Sequence, residues 1–526
     1  MLDLLIKGGM VIDGSASPGF YAAVGVSGDT VSIHRGDVSE LEKKAKKVLD
    51  AKGRVVTPGF IDVHAHSALM ILADPLHYAK VHQGVTTELY GIDGNSYAPF
   101  RKQQDLDWFI TMNSGLEGAP DITADWATVT EYLNTYDRKV AVNVAYIIGN
   151  SPIRINAMGW DDRKPTKKEM DNQKAILREA MQEGAVGMST GLDYPPGAYA
   201  DTDELVELSK ELTKLGGFYH THVRYLLGDK HLDPFKEAIE IGKRSDSPIH
   251  ITHLLGNWNF KSSRAHLDLV ESSRDQGMDV TFDCFPYPYG ATRLIIFLPH
   301  WSQDGGPMKL IERLKSPEAR ERIRKDFDHD RFEWDRVWLT YFKHPHNKKY
   351  EGRSVTDIAE MRKQSIADAI CDLLVEEDLQ TSWTADDLDP ESLSDFVTHP
   401  LQMVGSDALL LGDFPNPMMY GTFPIILASH VRRERKMTLP EAIRKMTSFP
   451  AQRLGIPDRG LLRDGMKADI VVFDADNIEA PATRYKPHQP STGIDYVIVN
   501  GQIVVDHGKH TNALPGRALR RGKTKD

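Results

Sequence analysis

Two histidines close the stretch Pro58-Gly59-Phe60-Ile61-Asp62-Val63-His64-Ala65-His66. Side chains at i and i+2 of an extended strand share a face, so the imidazoles of His64 and His66 can reach one ion. Neutral imidazole is a good ligand for zinc and similar divalent ions. An isolated HxH pair in a surface loop would mean little. Here an apolar lead-in over 59–63 reads as a buried strand, and the pair reads as part of a metal site.

Other candidate site residues fall at the ends of other predicted strands. His222 ends a run over 217–222 and His253 one over 248–253. Asp407 follows 401–404, and Asp93 follows 86–90 in Gly91-Ile92-Asp93-Gly94. Barrel enzymes place their catalytic groups at the C-terminal ends of their strands. His250 precedes His253 by three residues, so period-two alternation points it away from His253, towards the helices. His220 shares the face of His222, one layer deeper, and reads as a packing residue.

The elements that must position these groups alternate short apolar runs with polar, helix-favouring segments such as 167–183 and 203–215. Eight candidate strands emerge, at 59–63, 86–90, 140–147, 185–189, 217–222, 248–253, 278–283 and 401–404. This pattern predicts an α/β fold and favours a (β/α)8 TIM-like barrel over 57–454 against an open sheet, a choice that periodicity alone does not decide. Both ends of the chain are strand-rich, with turns at Gly8-Gly9, Asp13-Gly14 and Asn500-Gly501. Residues 1–56 and 455–526 therefore read as one small β-sandwich domain built from both termini. Too many residues separate 283 from 401 for one helix, which predicts an insertion around 298–400. Its charged, aromatic part over 298–348 reads either as a lid over the barrel mouth or as a packed excursion without gating.

Composition bounds the function. With 526 residues, 40% hydrophobic and 26% charged, the chain is an ordinary globular enzyme in make-up. A net charge of -11 argues against nucleic acid as a partner. The basic tail, Arg517, Arg520, Arg521, Lys523 and Lys525, reads as a solvated, frayed terminus. Two cysteines, Cys284 and Cys371, make no disulfide framework and fit a reducing compartment. The start, MLDLLIKGGMVIDG, does not read as a signal peptide, and no segment approaches the roughly 18 apolar residues of a membrane span. The expectation is a cytoplasmic enzyme with a small-molecule substrate and no membrane partner; a homo-oligomer stays open.

The combination of HxH on the first strand, single histidines on the fifth and sixth and an aspartate on the eighth resembles the amidohydrolase superfamily. Within it the chain resembles the D-aminoacylase (N-acyl-D-amino-acid deacylase) family. The similar stretches are GFIDVHAH, GVTTELYGIDGNSYAP, GMSTGLDYPPG, HTHVR, ITHL, GSD, YGTFP and DGMKADIVVFD, and they run nearly end to end. The resemblance implies a zinc-dependent hydrolase that cuts an amide C–N bond with metal-activated water, using one or two ions. His222 and His253 would hold the tighter zinc, with other divalent metals as alternatives. His64 and His66 would serve a second position. Asp407 would be the general base that passes a proton to the leaving amine.

The chain departs from that family at three places. Asp93 stands where the family usually has a bridging cysteine; a carboxylate can bridge too, but it is a harder ligand. Leu255 and Met418 stand where relatives carry a lysine and an arginine that bind the substrate's carboxylate. Arg224 and Arg293 are candidate replacements. Tyr194, Tyr287, Tyr289, Trp258 and Met418 are candidate pocket walls. These changes predict an N-acyl or aryl amide lacking the usual carboxylate. The alternatives are an N-acyl-D-amino-acid deacylase, a cyclic-amide hydrolase and a non-catalytic assembly protein. The fourth predicted strand holds no lysine for the carbamylated bridge of hydantoinase-like relatives, which weighs against the cyclic-amide reading.

Overall fold

Eight short parallel strands follow one another in sequence order: β1 (Phe60–Asp62), β2 (Val85–Tyr90), β3 (Asn143–Tyr146), β4 (Met188–Gly191), β5 (Tyr219–His222), β6 (Ile249–Ile251), β7 (Val280–Cys284) and β8 (Gln402–Val404). The computed structural model describes residues 2–255, 263–386 and 388–521. β1 pairs with β2 and β2 with β3. Past Ile147 the third strand resumes as Ile148–Gly149, which pairs with β4. Pairing then continues through β5, β6, β7 and β8. Two links connect the last strand back to the first. The Val63 N–H donates to the Val404 carbonyl at 3.5 Å, and Ala65–His66 pairs in parallel with Ala408–Leu409.

These strands are buried along their whole length, as expected of parallel strands covered on both faces. The intervening helices start at clear caps. Thr166 forms a capping box with Glu169 at the start of Lys167–Glu183, and Asp201 accepts from the Glu204 N–H at the start of Thr202–Lys214. Gly59, just before β1, is required by close approach: a Cβ there would lie 2.1 Å from Thr86 Oγ1. The sixth strand ends at Ile251, before His253.

Both chain ends build two further sheets. One has four strands, in the order Thr30–His34, Ala23–Ser27, Leu4–Lys7, Lys47–Asp50. The other has seven and includes Val55–Pro58, Ile470–Phe473, Ile494–Val499 and Gln502–Asp506. Their apolar faces meet, Leu4, Val24 and Leu49 of the first with Val56, Ile470 and Ile498 of the second.

Between β7 and β8 lies a three-stranded antiparallel sheet with Thr381–Ala385 between Gly290–Arg293 and Val337–Phe342. The excursion thus begins before the expected onset at 298. Four α-helices, Pro307–Lys315, Pro317–Asp326, Val355–Arg362 and Ile366–Glu376, lie between its strands, and a further helix, Pro390–Thr398, leads back to β8.

The tail departs from expectation. Ala518–Leu519 pairs with β3, and the Val144 N–H donates to the Arg517 carbonyl at 2.9 Å. Arg517 lies 2.8 Å from Asp29, Arg520 donates to Asn134 and Arg521 to the Gly216 carbonyl. Arg517, Arg520 and Arg521 are docked rather than frayed, because the backbone of this segment completes the exposed edge of the split third strand. Lys523 and Lys525 lie outside the described residues. Among the described residues, no helix is long and apolar enough to cross a membrane.

Candidate metal centre

The five expected metal ligands and the expected base, Asp407, converge. His64 and His66 follow β1, Asp93 follows β2, His222 ends β5, His253 follows β6 and Asp407 follows β8. Three of them turn the chain through the left-handed region, with φ of 55° at Asp93, 32° at His253 and 49° at Asp407. Such backbones cost on the order of 1–3 kcal/mol each and persist where surrounding structure dictates them. Gly405 lets the Asp407 loop close on the first strand, since a Cβ there would lie 2.5 Å from that of His64.

His64 Nε2 is 3.4 Å from Asp93 Oδ2 and 3.4 Å from Asp407 Oδ1. His66 Nε2 is 3.7 Å from Asp93 Oδ2 and 3.1 Å from Asp407 Oδ1. On the other side, His222 Nδ1 and His253 Nε2 lie 3.0 Å apart, and 3.7 and 3.9 Å from Asp93 Oδ2. Three ligand sets result: His64, His66 and Asp93; Asp93, His222 and His253; and His64, His253 and Asp407, each with its donor atoms within 4.8 Å of one another. Asp93 is the residue shared by the first two, while His64 and His253 tie the third to them. His64 Nε2 and Asp93 Oδ1 are buried without a hydrogen-bond partner. Buried polar atoms are normally paired, and a donor set of imidazole nitrogens with carboxylate oxygen suits zinc. The residues present fit divalent cations.

Each histidine is also held from behind. His64 Nδ1 is 3.4 Å from Asp283 Oδ1, His66 Nδ1 is 3.2 Å from Glu117 Oε1, and His222 Nε2 is 3.5 Å from Asp193 Oδ2. The Tyr225 hydroxyl is 2.8 Å from His253 Nδ1. Partners of this kind fix ring orientation and raise ligand basicity. Sequence reasoning missed all four. Asp283, at the end of a predicted strand, carried a signal of the kind used for Asp407. Glu117 ends the helix Gln103–Glu117 and carried none.

The electrostatics follow from crowding opposite charges in a buried space. Burial opposes a charge on Asp93, but His64, His222 and His253 hold its carboxyl well below the usual range. Burial likewise opposes ionisation of Asp407, and His64 and His66 outweigh it. Burial works against protonated His66, yet Asp407 and Glu117 raise it to about 9; Asp193 and Asp93 raise His222 likewise to about 9. The cluster demands positive charge, which protons or a divalent cation can supply.

His250 corrects the alternation argument. It faces the interior, 3.0 Å from Asp283 Oδ2 and stacked on His220 at 5.0 Å. Alternation failed because the strand ends before His253, so the two histidines do not share one extended segment. Beneath the ligands, Lys80 is fully buried, with Nζ 2.6 Å from Asp62 Oδ2, 2.5 Å from Ser406 Oγ and 3.2 Å from Glu88 Oε1.

The ligands open on a cavity of about 440 Å³ that Asp93, His222, His253 and Asp407 line on one side and the excursion between β7 and β8 on the other. Tyr194 and Leu255 are on its wall; Arg224, Arg293, Tyr287, Tyr289 and Met418 are not. Arg224 donates to the Ala198 and Ala200 carbonyls and to Glu237. Arg293 is fully buried, donates to the Met112 carbonyl and stacks 4.5 Å over Tyr194; burial pulls it down to about 10. The Tyr287 hydroxyl is buried without a partner, and Met418 is buried at the start of the helix Met418–Ile425. Trp258 lies outside the described residues.

The amidohydrolase family model matches residues 47–286 and 327–505. The chain belongs to the amidohydrolase family. It is 33% identical to the N-acyl-D-glutamate deacylase of Alcaligenes xylosoxydans xylosoxydans, over 99% of this chain and 97% of that one. The D-aminoacylase of the same organism is 32% identical, over 99% and 98%. Among solved structures, a D-aminoacylase described as defining a novel subset of amidohydrolases superposes with a TM-score of 0.82 at 30% identity, covering 99% of this chain and all of that one. An N-acyl-D-glutamate deacylase from Bordetella bronchiseptica, solved with zinc and a phosphonate mimic of the tetrahedral intermediate, gives 0.82 at 31% identity, over 99% of both chains. The amidohydrolase fold and a metal-dependent hydrolase acting on C–N bonds follow for this member of the family.

Proposed function

We propose that this amidohydrolase deacylates N-acyl-D-amino acids, with Asp407 as the proton carrier and Asp93 as the ligand shared between two metal positions. The observation that carries the reading is Asp407 itself: its Oδ1 lies 3.1 Å from His66 Nε2 and 3.4 Å from His64 Nε2, on the wall of the same cavity as His222 and His253. A divalent ion, when bound, polarises the amide carbonyl and acidifies water. Asp407, held ionised by the neighbouring imidazoles, accepts a proton from the attacking water and returns it to the leaving nitrogen. The C–N bond breaks, a C–O bond forms, and the products are a carboxylic acid and the free amine of the amino acid.

The relatives' names support this substrate over the neutral amide. That second reading keeps one observation in its favour: an apolar side chain, Leu255, stands on the cavity wall. Two further readings go with the proposal. Residues 1–56 and 455–526 build one small domain, supported by the apolar core their sheets share, except that the tail over 517–521 packs on β3 instead. The setting is reducing and cytoplasmic, supported by the free, buried thiols of Cys284 and Cys371.

The test is Asp407→Asn assayed on a panel of N-acyl-D-amino acids and neutral aryl amides. The wild type should prefer the charged acids, and the variant should lose about 10²–10⁴-fold in kcat. Turnover confined to the neutral amides would reject the substrate reading. A variant with full kcat would reject the role of Asp407.

A further inference from the structure

Three cations stand on the cavity wall: Lys230, Arg331 and Arg336. Two are already paired. Lys230 lies 3.3 Å from Asp328, and Arg336 lies 3.0 Å from Asp386 and 3.2 Å from Glu333. Arg331 makes no ion pair among the described residues. Its Nη1 donates to the Ile296 carbonyl at 3.0 Å, which anchors the side chain by one N–H. Its guanidinium carbon lies 5.9 and 5.7 Å from the ring centroids of Phe297 and Phe332. A guanidinium carries five N–H donors in a planar fork that matches a carboxylate. Most of that fork has no hydrogen-bond partner among the described residues.

Two further observations bear on what it could bind. Arg331 shares its cavity with Asp93, His222, His253 and Asp407, so the fork and the ligand cluster open on one space of about 440 Å³. The charge of Arg331 also reaches Asp193, the carboxylate behind His222. The wall around Arg331 includes Ile296, Phe332 and Trp383, apolar groups that exclude water and strengthen a charge pair formed there. The wall also carries four acids, Asp328, Asp330, Glu333 and Asp386. Lys230 and Arg336 already offset three of these. An anionic substrate entering such a cavity depends on the remaining cation.

We propose that Arg331, supplied by the excursion between β7 and β8, recognises the carboxylate of the N-acyl amino acid and so sets specificity. The inference rests on the deacylase reading above and assigns that substrate's anion to a residue of this chain. Leu255 offers no charge on the wall, and Arg224 and Arg293 are committed elsewhere.

The test compares wild type, Arg331→Ala and Arg331→Lys by steady-state kinetics. The substrates are the best-turned-over member of a panel of acidic and apolar N-acetyl-D-amino acids and the primary carboxamide of that same compound. Both contain the same scissile amide. Arg331→Ala is expected to raise KM for the acid about 10- to 100-fold while leaving the carboxamide within about twofold, and Arg331→Lys to recover part of the loss. Metal content and thermal midpoint should match the wild type in both variants. An acid KM that Arg331→Ala leaves unchanged, or an equal loss on acid and carboxamide, overturns the assignment while the deacylase reading stands. A wild type that turns over no member of the panel removes the deacylase reading and the assignment with it.

Discussion

Glu117 Oε1 sits 3.2 Å from His66 Nδ1, on the opposite side of the ring from Asp93. Neither carboxylate is near the other in sequence, and the imidazole is held between them. The helix Gln103–Glu117 delivers this contact from outside the strand assembly. Burial raises the Glu117 carboxyl, and His66 pulls it back down. Glu117 therefore bears on how strongly His66 binds a cation without touching the cavity.

Glu117→Gln should leave the fold intact and weaken metal binding at the position shared by His64, His66 and Asp93. Loss of such a partner typically costs about 10–100-fold in affinity. Chelator competition with zinc measures this directly. Equal affinities in variant and wild type would reduce Glu117 to a packing role.

Asp93 is common to the set with His64 and His66 and the set with His222 and His253, so Asp93→Ala should lower occupancy at both, read as metal per protein after dialysis. Asp93→Cys should regain metal but change its preference. A thiolate is softer than a carboxylate, so the zinc-to-manganese ratio bound from an equimolar mixture should rise. An unchanged ratio would mean that the side chain at 93 does not contact the ion.

How much of this site was legible depends on where each residue sits. The ligands were visible because each stands at the end of an apolar run, and HxH on such a run has few other readings. His250 was misread because alternation was carried past Ile251, where the strand ends and the chain turns to φ 32° at His253. Glu117 was invisible because its approach is tertiary: nothing in Gln103–Glu117 marks which strand end it faces. The tail was misread because charge alone suggested solvation, whereas its backbone completes the edge of β3. The excursion is located by length, but no periodicity marks which of its residues, Arg331 among them, reach the cavity wall.

The pH dependence of metal binding should separate stripped from loaded protein. His66 and His222 titrate near 9 without metal, against 6.5 for an ordinary histidine. A raised folded value means that the bound proton stabilises the fold. That contribution is complete below about 6.5 and disappears as pH rises through about 9. A divalent cation needs the same nitrogens deprotonated, so its binding strengthens over that interval. The gap in thermal midpoint between zinc-loaded and chelator-treated enzyme should therefore widen from pH 6.5 to 9. A constant gap would show that these two rings do not exchange protons for metal.

Lys80 joins the two segments that must stay in register for the site to exist. Its Nζ contacts Asp62, two residues before His64, and Ser406, one before Asp407. Asp62 Oδ1 in turn accepts the His64 N–H at 3.1 Å and the Ser406 N–H at 2.9 Å. Burial opposes the lysine's charge, but Asp62 and Glu88 outweigh it and hold the ammonium protonated. Lys80→Met removes that cation and leaves two buried carboxylates facing each other across its place. Breaking a buried charge set this way costs about 3–5 kcal/mol, which urea unfolding would report. The cost should come from Asp62, left without its cation, and from Glu88, left with His77 Nε2 at 2.7 Å, rather than from lost volume, since methionine fills a similar space. Adding Asp62→Asn and Glu88→Gln to Lys80→Met should therefore restore part of the stability, because neither carboxylate is then left charged in Lys80's absence. A triple variant as unstable as the single one would mean that Lys80 acts through packing, and that the register of His64 and Asp407 is set elsewhere.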